Sequence, residues 1–247
     1  MSDWPQKFLH AFSERHHYDS VSAAHDELSL DDAYDIQHRF VALRQEPISG
    51  YKAALTAPAA QQAMGIDVPI VGVLFADGEF ASDRPIVLHK QALLETEIGF
   101  VCASHIDQEV TVSNVLDHMA GCMAMIEIAS PNLATKPNGL DLVATNSASY
   151  GYIVGEKHPA DMPLDDLSVR LTKGDETLLA GSAGEVLGGQ IQALTWLVNQ
   201  TLERSYSIEP GHLLMTGSIG GMCPATPGDY SADFDGLGTI AWRIAED

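Results

Sequence analysis

Basic residues are scarce in this chain: 13 Lys and Arg stand against 34 Asp and Glu, a formal charge of −21. Lys and Arg also occur singly, so no basic stripe exists to neutralise a phosphate backbone, and nucleic-acid binding is excluded as a principal function. Cysteine is scarce too. Cys102, Cys122 and Cys223 are odd in number and far apart, which fits neither a disulfide framework nor a Cys-rich zinc site and suits a reducing compartment. No run approaches the roughly 20 apolar residues that cross a bilayer, and the opening "MSDWPQKFLHAFSERHH" lacks the apolar stretch of a secretion signal. A P-loop, a Rossmann glycine fingerprint and a Gly-x-Ser-x-Gly nucleophile turn are all missing. A soluble cytoplasmic protein is expected, its acidic excess serving solubility.

What is present supports a sizeable core: 45% of the 247 residues are apolar. From residue 4 to 44 the spacing is helical, with Phe8, Leu9 and Phe12, then Ala33, Ile36, Phe40 and Leu43 three or four apart. Ser29 followed by Asp31 and Asp32 predicts a helix start, with acid near the positive end of the dipole. Residues 1–46 are read as a small helical N-terminal region. After Pro47 the texture changes to short β-type runs between Gly, Pro and Asp, among them "PIVGVLFADG", "IVLHK", "ETEIGFVCA", "IEIAS" and "GYIVG". Residues 47–247 are accordingly read as one mixed β domain, and the whole as α+β. Two helices are predicted within it, over 113–126 from Val115, Leu116, Met119, Cys122, Met123 and Ile126, and over 189–202 from Ile191, Leu194, Leu197 and Val198.

Within "LLETEIGFVCAS", Glu95 and Glu97 stand two apart in an apolar strand, so alternation puts both carboxylates on one face. Three arrangements accommodate them: exposure to water, a shared proton, or a cation that neutralises both. Glu127, in "CMAMIEIAS", is a third lone acid in an apolar run. Three carboxylates suit a hard, oxygen-seeking cation better than one pair does. Lys52, in "GYKAALT", reads either as a snorkelling lysine or as a site cation, and "TGS" at Thr216, Gly217 and Ser218 either as a glycine turn or as a ligand loop. The histidines occupy no nucleophile or base motif, and His10, His16, His17, His25 and His38 are expected on the surface.

The ordered blocks "GYKAALTAPAAQQAMGIDVPIVGVLF", "LLETEIGFV", "IEIA", "LVATNSASYGYIVG", "GSAGEVLGGQIQALTWLVN", "LLMTGSIGGMCPATPGD" and "GLGTIAWRI" resemble the 2-keto-4-pentenoate hydratase and 4-oxalocrotonate decarboxylase family of the fumarylacetoacetate hydrolase superfamily. The resemblance runs through nearly the whole chain. It implies a β-roll of the fumarylacetoacetate hydrolase C-terminal type behind the helical region. It also implies Mg²⁺ or Mn²⁺ held by Glu95, Glu97 and Glu127, catalytic Lys52, Glu95 and Asn146, and substrate contacts from Leu55, Thr56, Thr216, Gly217 and Ser218. The implied activity is that of a metal-dependent lyase, a hydratase of short 2-hydroxydienoic or 2-oxo-enoic acids from aromatic catabolism acting through a chelated enolate. A 2-oxo-enedioate decarboxylase, an acylpyruvate C–C hydrolase and a non-catalytic assembly partner are the alternatives. A homo-oligomer, possibly bound to a pathway neighbour, is implied as well. The chain departs from the family pattern at Thr145, where an Asp is usual, at Gly189 and Gln190, where His-Pro is common, and after Glu127, where Lys136 is the sole base of a segment that usually holds Arg. Thr145 removes a possible proton-transfer or orienting acid, whereas the changes at Gly189 and Gln190 and after Glu127 bear on substrate selection and leave the metal triad intact.

Overall fold

The computed structural model describes residues 3–88 and 91–246. In chain order it contains α1 (Trp4–Ser13), α2 (Leu30–Arg44), β1 (Ile48–Ala54), α3 (Pro58–Ala63), β2 (Ile70–Phe75), β3 (Ile86–Val87), β4 (Leu93–Cys102), β5 (Met119–Ala129), α4 (Gly139–Ala144), β6 (Ser149–His158), β7 (Ser168–Lys173), β8 (Glu176–Ser182), α5 (Gln190–Glu203), β9 (Leu213–Met215), β10 (Ile219–Pro224), β11 (Gly228–Phe234) and β12 (Gly238–Ala245). Seven strands form one sheet in the order β2-β1-β9-β4-β5-β6, with β10 also paired to β4, and five form a second in the order β3-β12-β11-β7-β8. Of the run "IVLHK", Ile86 and Val87 form β3, while His89 and Lys90 lie outside the described residues.

The larger sheet rolls until its end strands β2 and β6 touch. Leu74 of β2, Met123 and Met125 of β5, Tyr152 of β6, and Leu213 and Met215 of β9 then pack into one buried cluster, which strands in sequence across a flat sheet could not do. Flexible methionines suit this irregular interior. Around the outside, α2 packs on α1 and α4, and α5 on β1, β2 and β9. Ser29 caps α2 in a capping box with Asp32, which satisfies two backbone donors that the first turn leaves free.

The edge of β2 is closed by side chains, which removes an otherwise open pairing edge. Val71 N–H donates to Tyr34 Oη at 2.9 Å, and Gln37 Nε2 donates to Val71 O at 3.0 Å. Both residues come from α2, so the N-terminal helices are fastened to the roll by hydrogen bonds as well as by apolar contact. The boundary expected after residue 46 falls in the short link between α2 and β1.

The helix expected over 189–202 is α5. The helix expected over 113–126 is not formed: a single 3₁₀ turn, Val115–His118, leads into β5. Residues 121–129 of β5 are all buried, because neighbours cover the strand on both faces. A strand of that kind shows a continuous apolar run, which periodicity alone does not separate from a helix. His25 and His38, expected at the surface, are half-buried: His25 Nε2 accepts from Trp4 Nε1 at 3.1 Å, and His38 stacks on Tyr206.

Candidate metal centre

Register brings the three glutamates together. Glu95 and Glu97 share a face of β4 by alternation, and the antiparallel pairing of β4 with β5 sets Glu127 directly opposite Glu95. One carboxylate oxygen from each of Glu95, Glu97 and Glu127 lies within 4.8 Å of the others. Glu97 and Glu127 are buried and Glu95 is half-buried.

Lys52 comes from β1, its side chain 2% exposed, and its Nζ lies 2.8 Å from Glu127 Oε1. Its stem runs across β2 at Gly72, where a Cβ would come within 3.0 Å of Lys52 Cε. A larger residue there would displace the lysine.

The TGS segment occupies a break between two strands that pair with the same edge of β4. β9 pairs with Gly99–Val101 and β10 with the stretch from Leu93 to Thr96, so the chain leaves the ladder beside Glu97. Thr216 N–H still donates to Ile98 O at 3.0 Å, and Gly217 N–H turns to donate to Glu97 Oε2 at 2.7 Å. Gly217 has φ +123°, and a Cβ on it would lie 2.5 Å from Thr56 Cγ2, so only glycine fits this turn. Thr216 is fully buried and shares its hydroxyl between Ile98 O at 2.8 Å and Gln190 Oε1 at 2.6 Å. Gln190, at the start of α5, thereby anchors the loop that orients Glu97.

The cluster is short of positive charge. Three carboxylates face one ammonium, and Glu97 Oε1 is buried without a hydrogen-bond partner. Lys52 Nζ, 2.8 Å from Glu127 Oε1, is the basic group that the cluster holds. Burial, then the Glu127 charge, push Glu95 up to about 7 and Glu97 well above the usual carboxylate range. Burial works against the Lys52 ammonium, but Glu127, Glu95 and Glu97 together hold its pKa above the ordinary lysine value. An unpartnered buried carboxylate oxygen costs on the order of 1–3 kcal/mol or more. A cation removes that cost, and an all-oxygen donor set suits Mg²⁺, Mn²⁺ or Ca²⁺. The residues therefore fit a hard divalent ion.

Beside the cluster opens a cavity of about 390 Å³, within the range of roughly 300–1,000 Å³ usual for small-molecule sites. Lys52, Leu55, Thr56, Glu95 and Ser218 line it; Thr216 and Gly217 stand behind the wall and act on Glu97. Lys136 is exposed and does not line it.

Asn146 is turned to another task. Its Oδ1 accepts from Val73 N–H at 2.8 Å and its Nδ2 donates to Val73 O at 2.9 Å, so both ends of the amide pair with the edge of β2. It faces a separate small pocket with Arg44 and Tyr150, whereas its neighbours Ser147 and Ala148 line the cavity. Asn146, Ser147 and Ala148 all have left-handed backbone, φ 69°, 53° and 59°. Thr145, where an acid was expected by resemblance, donates its hydroxyl to Asp141 O at 2.8 Å and caps the end of α4. The sequence reading did not name Ser147 or Glu185 as site residues, and it marked Gln190 only as a departure from the family pattern. Glu185 sits in an unremarkable "AGEVLG" turn, and Gln190 gives no apolar-run signal of the kind that marked Glu97.

Known proteins are similar to this chain over most of its length. A 2-keto-4-pentenoate hydratase of Paraburkholderia xenovorans (strain LB400) is 29% identical over 225 residues, covering 87% of this chain and 83% of its own length. A 4-oxalocrotonate decarboxylase of Pseudomonas sp. (strain CF600) is 28% identical, covering 93% and 90%. Among solved structures, 4-oxalocrotonate decarboxylase from Pseudomonas putida G7, complexed with magnesium and adipate, superposes with a TM-score of 0.89 at 24% identity, over 98% of this chain and 95% of that one. The family model for the fumarylacetoacetate (FAA) hydrolase C-terminal domain matches residues 49–245, from the strand that carries Lys52 to the last strand of the second sheet, and the chain belongs to that family.

Proposed function

We propose that this protein is a divalent-metal-dependent hydro-lyase, a hydratase of short 2-hydroxydienoic or 2-oxo-enoic acids of the kind made by aromatic ring cleavage. The observation that carries the reading is the buried triad of Glu95, Glu97 and Glu127, under-neutralised by Lys52 and opening on a largely apolar cavity. Similarity to 2-keto-4-pentenoate hydratases over most of the chain supports the substrate class.

Mg²⁺ or Mn²⁺ held by the triad would polarise the substrate's carboxylate and C2 oxygen as a Lewis acid. The protein's own residues do the rest. In the metal-free fold Glu127, Glu95 and Glu97 hold the Lys52 pKa above the ordinary lysine value, and its ammonium on the cavity wall offers a positive charge to the substrate carboxylate. Gly217 N–H, backed by Thr216 and Gln190, holds Glu97 in one orientation. Thr56 and Ser218 line the same cavity, whose remaining wall is largely apolar.

A hydrolytic reading needs a water-activating acid–histidine pair at the site. Among the described residues no histidine lines the cavity, and the His105–Glu209 pair, 3.0 Å apart, is exposed elsewhere. Self-association, a pathway partner and a cytoplasmic location are supported by the family resemblance; light scattering of the purified protein checks the first. The activity is tested by supplying the Mg²⁺- or Mn²⁺-loaded protein with 2-hydroxypenta-2,4-dienoate and with a 2-oxo-enedioate, following water addition and CO₂ release separately. Hydration is expected to be the faster reaction. Turnover of neither substrate would overturn the reading, and faster CO₂ release would replace hydratase by decarboxylase.

A further inference from the structure

Glu185 is an acid on the cavity wall with no part in the metal cluster. It closes the 3₁₀ turn Ala183–Glu185 between β8 and α5. Its Oε2 lies over Gly181, where a Cβ would come within 3.2 Å of it and within 2.7 Å of Gly220 N. The acid therefore sits beside the Gly220 turn, which also lines the cavity. The rest of the lining is mostly aliphatic, with Leu55, Met64, Ile70, Leu93, Val186 and Met222 among its members.

Charge on this wall is one-sided. Glu95, Glu97 and Glu127 are matched in total by a divalent cation and Lys52, and among the described residues Lys52 is the only base on the lining. Glu185 stands at the exposed rim of the lining, and none of the ion pairs among the described residues includes it. We propose that Glu185 makes the cavity selective for 2-oxo acids with a single carboxylate and an apolar tail, by setting an uncompensated negative charge where a dicarboxylic substrate would need a base. This inference rests on the metal-centred reading above.

A substrate's second carboxylate reaching this part of the lining would gain no donor of opposite charge and would meet a like charge. An uncharged tail meets only the aliphatic wall, whose burial is favourable. Discrimination of this type comes as much from the repulsive element as from the attractive one.

The test uses 2-oxohexanoate and 2-oxoadipate, which share the chelating end and chain length and differ only in a terminal methyl or carboxylate. Dissociation constants are measured by calorimetry on the Mg²⁺-loaded full chain, for wild type, Glu185→Gln and Glu185→Arg. The monoacid is expected to bind wild type at least about tenfold more tightly, a difference of roughly 1.4 kcal/mol. Glu185→Gln should narrow the ratio and Glu185→Arg should invert it. Equal or tighter binding of 2-oxoadipate to wild type would overturn the proposal, as would a ratio that neither substitution moves. Binding of neither acid would overturn this proposal and the metal-centred reading together, whereas binding with the wrong preference would sink this proposal alone.

Discussion

Buried carboxylates are treated in two opposite ways in this protein, at Asp141 and in the glutamate cluster. Asp141, 1% exposed, accepts from Ser20 Oγ at 2.7 Å, Ser22 Oγ at 2.8 Å, Ser22 N–H at 2.9 Å and Asn138 Nδ2 at 3.0 Å. Glu97, 0% exposed, accepts one backbone donor and leaves its other oxygen unpartnered beside two further carboxylates. Four neutral donors make Asp141 a finished structural pin between the chain near Ser20 and α4. The glutamates are left unfinished at an open cavity, and that incompleteness is the mark of a place kept for a cation.

The sharpest way to break the contrast is to neutralise each acid in turn and read metal affinity against stability. Replacing both Glu95 and Glu97 by Gln is expected to weaken Mg²⁺ and Mn²⁺ binding by about 100-fold or more while the protein still folds, because a neutral amide lacks the charge a hard cation requires. Equal affinities by calorimetry in wild type and variant would remove the metal site. Asp141→Asn should do the reverse, lowering stability in urea by roughly 2–3 kcal/mol through loss of charge-assisted hydrogen bonds. Its metal affinity should stay within about twofold, the usual independence of sites that share no partner. A large affinity change in that variant would erase the distinction.

Lys52 tests how far the glutamate cluster depends on its single internal cation. Lys52→Met should lower turnover at least about tenfold, roughly 1.4 kcal/mol of transition-state stabilisation, without unfolding the roll. Unchanged kinetics would make it a packing residue. The smallest expected effect is on pH dependence. Glu95 is pushed up to about 7 in the metal-free fold, against an unfolded value of about 4.3. The folded state therefore holds this proton more tightly, and the stability it contributes is present below pH ~4 and lost as pH rises through about 7. Metal-free wild type should lose more thermal stability between pH 5 and pH 8 than metal-free Glu95→Gln. Parallel melting curves for the two proteins would show that Glu95 does not carry this proton.

The sequence exposed the acids because each broke an apolar run, and alternation alone put Glu95 and Glu97 on one face. It did not disclose that Glu127 faces Glu95, since that needs the register of β4 on β5, and the apolar run entering β5 imitated a helix. Asn146 stood out by resemblance, yet nothing in "VATNSAS" announces that its amide would be spent on Val73. Glu185 and the anchoring role of Gln190 were illegible for a related reason: they depend on how neighbouring elements meet in space, and no local pattern encodes that meeting.

The left-handed turn at Asn146–Ala148 has a consequence for how this site can change over evolutionary time. Holding non-glycine residues in that conformation costs about 1–2 kcal/mol each, less for Asn. The Asn146 amide on Val73 and the Ser147 hydroxyl on Val71 O at 2.7 Å offset it. The turn is also a party wall: Ser147 and Ala148 face the acid-bearing cavity, while Asn146 and Ser149 face the pocket beside Arg44. A wall braced this way from one edge strand has little give, so room gained on one side must come from the chamber behind it. Mutational drift toward bulkier substrates is thereby steered away from this partition, to the exposed part of the lining that holds Glu185 and Met222.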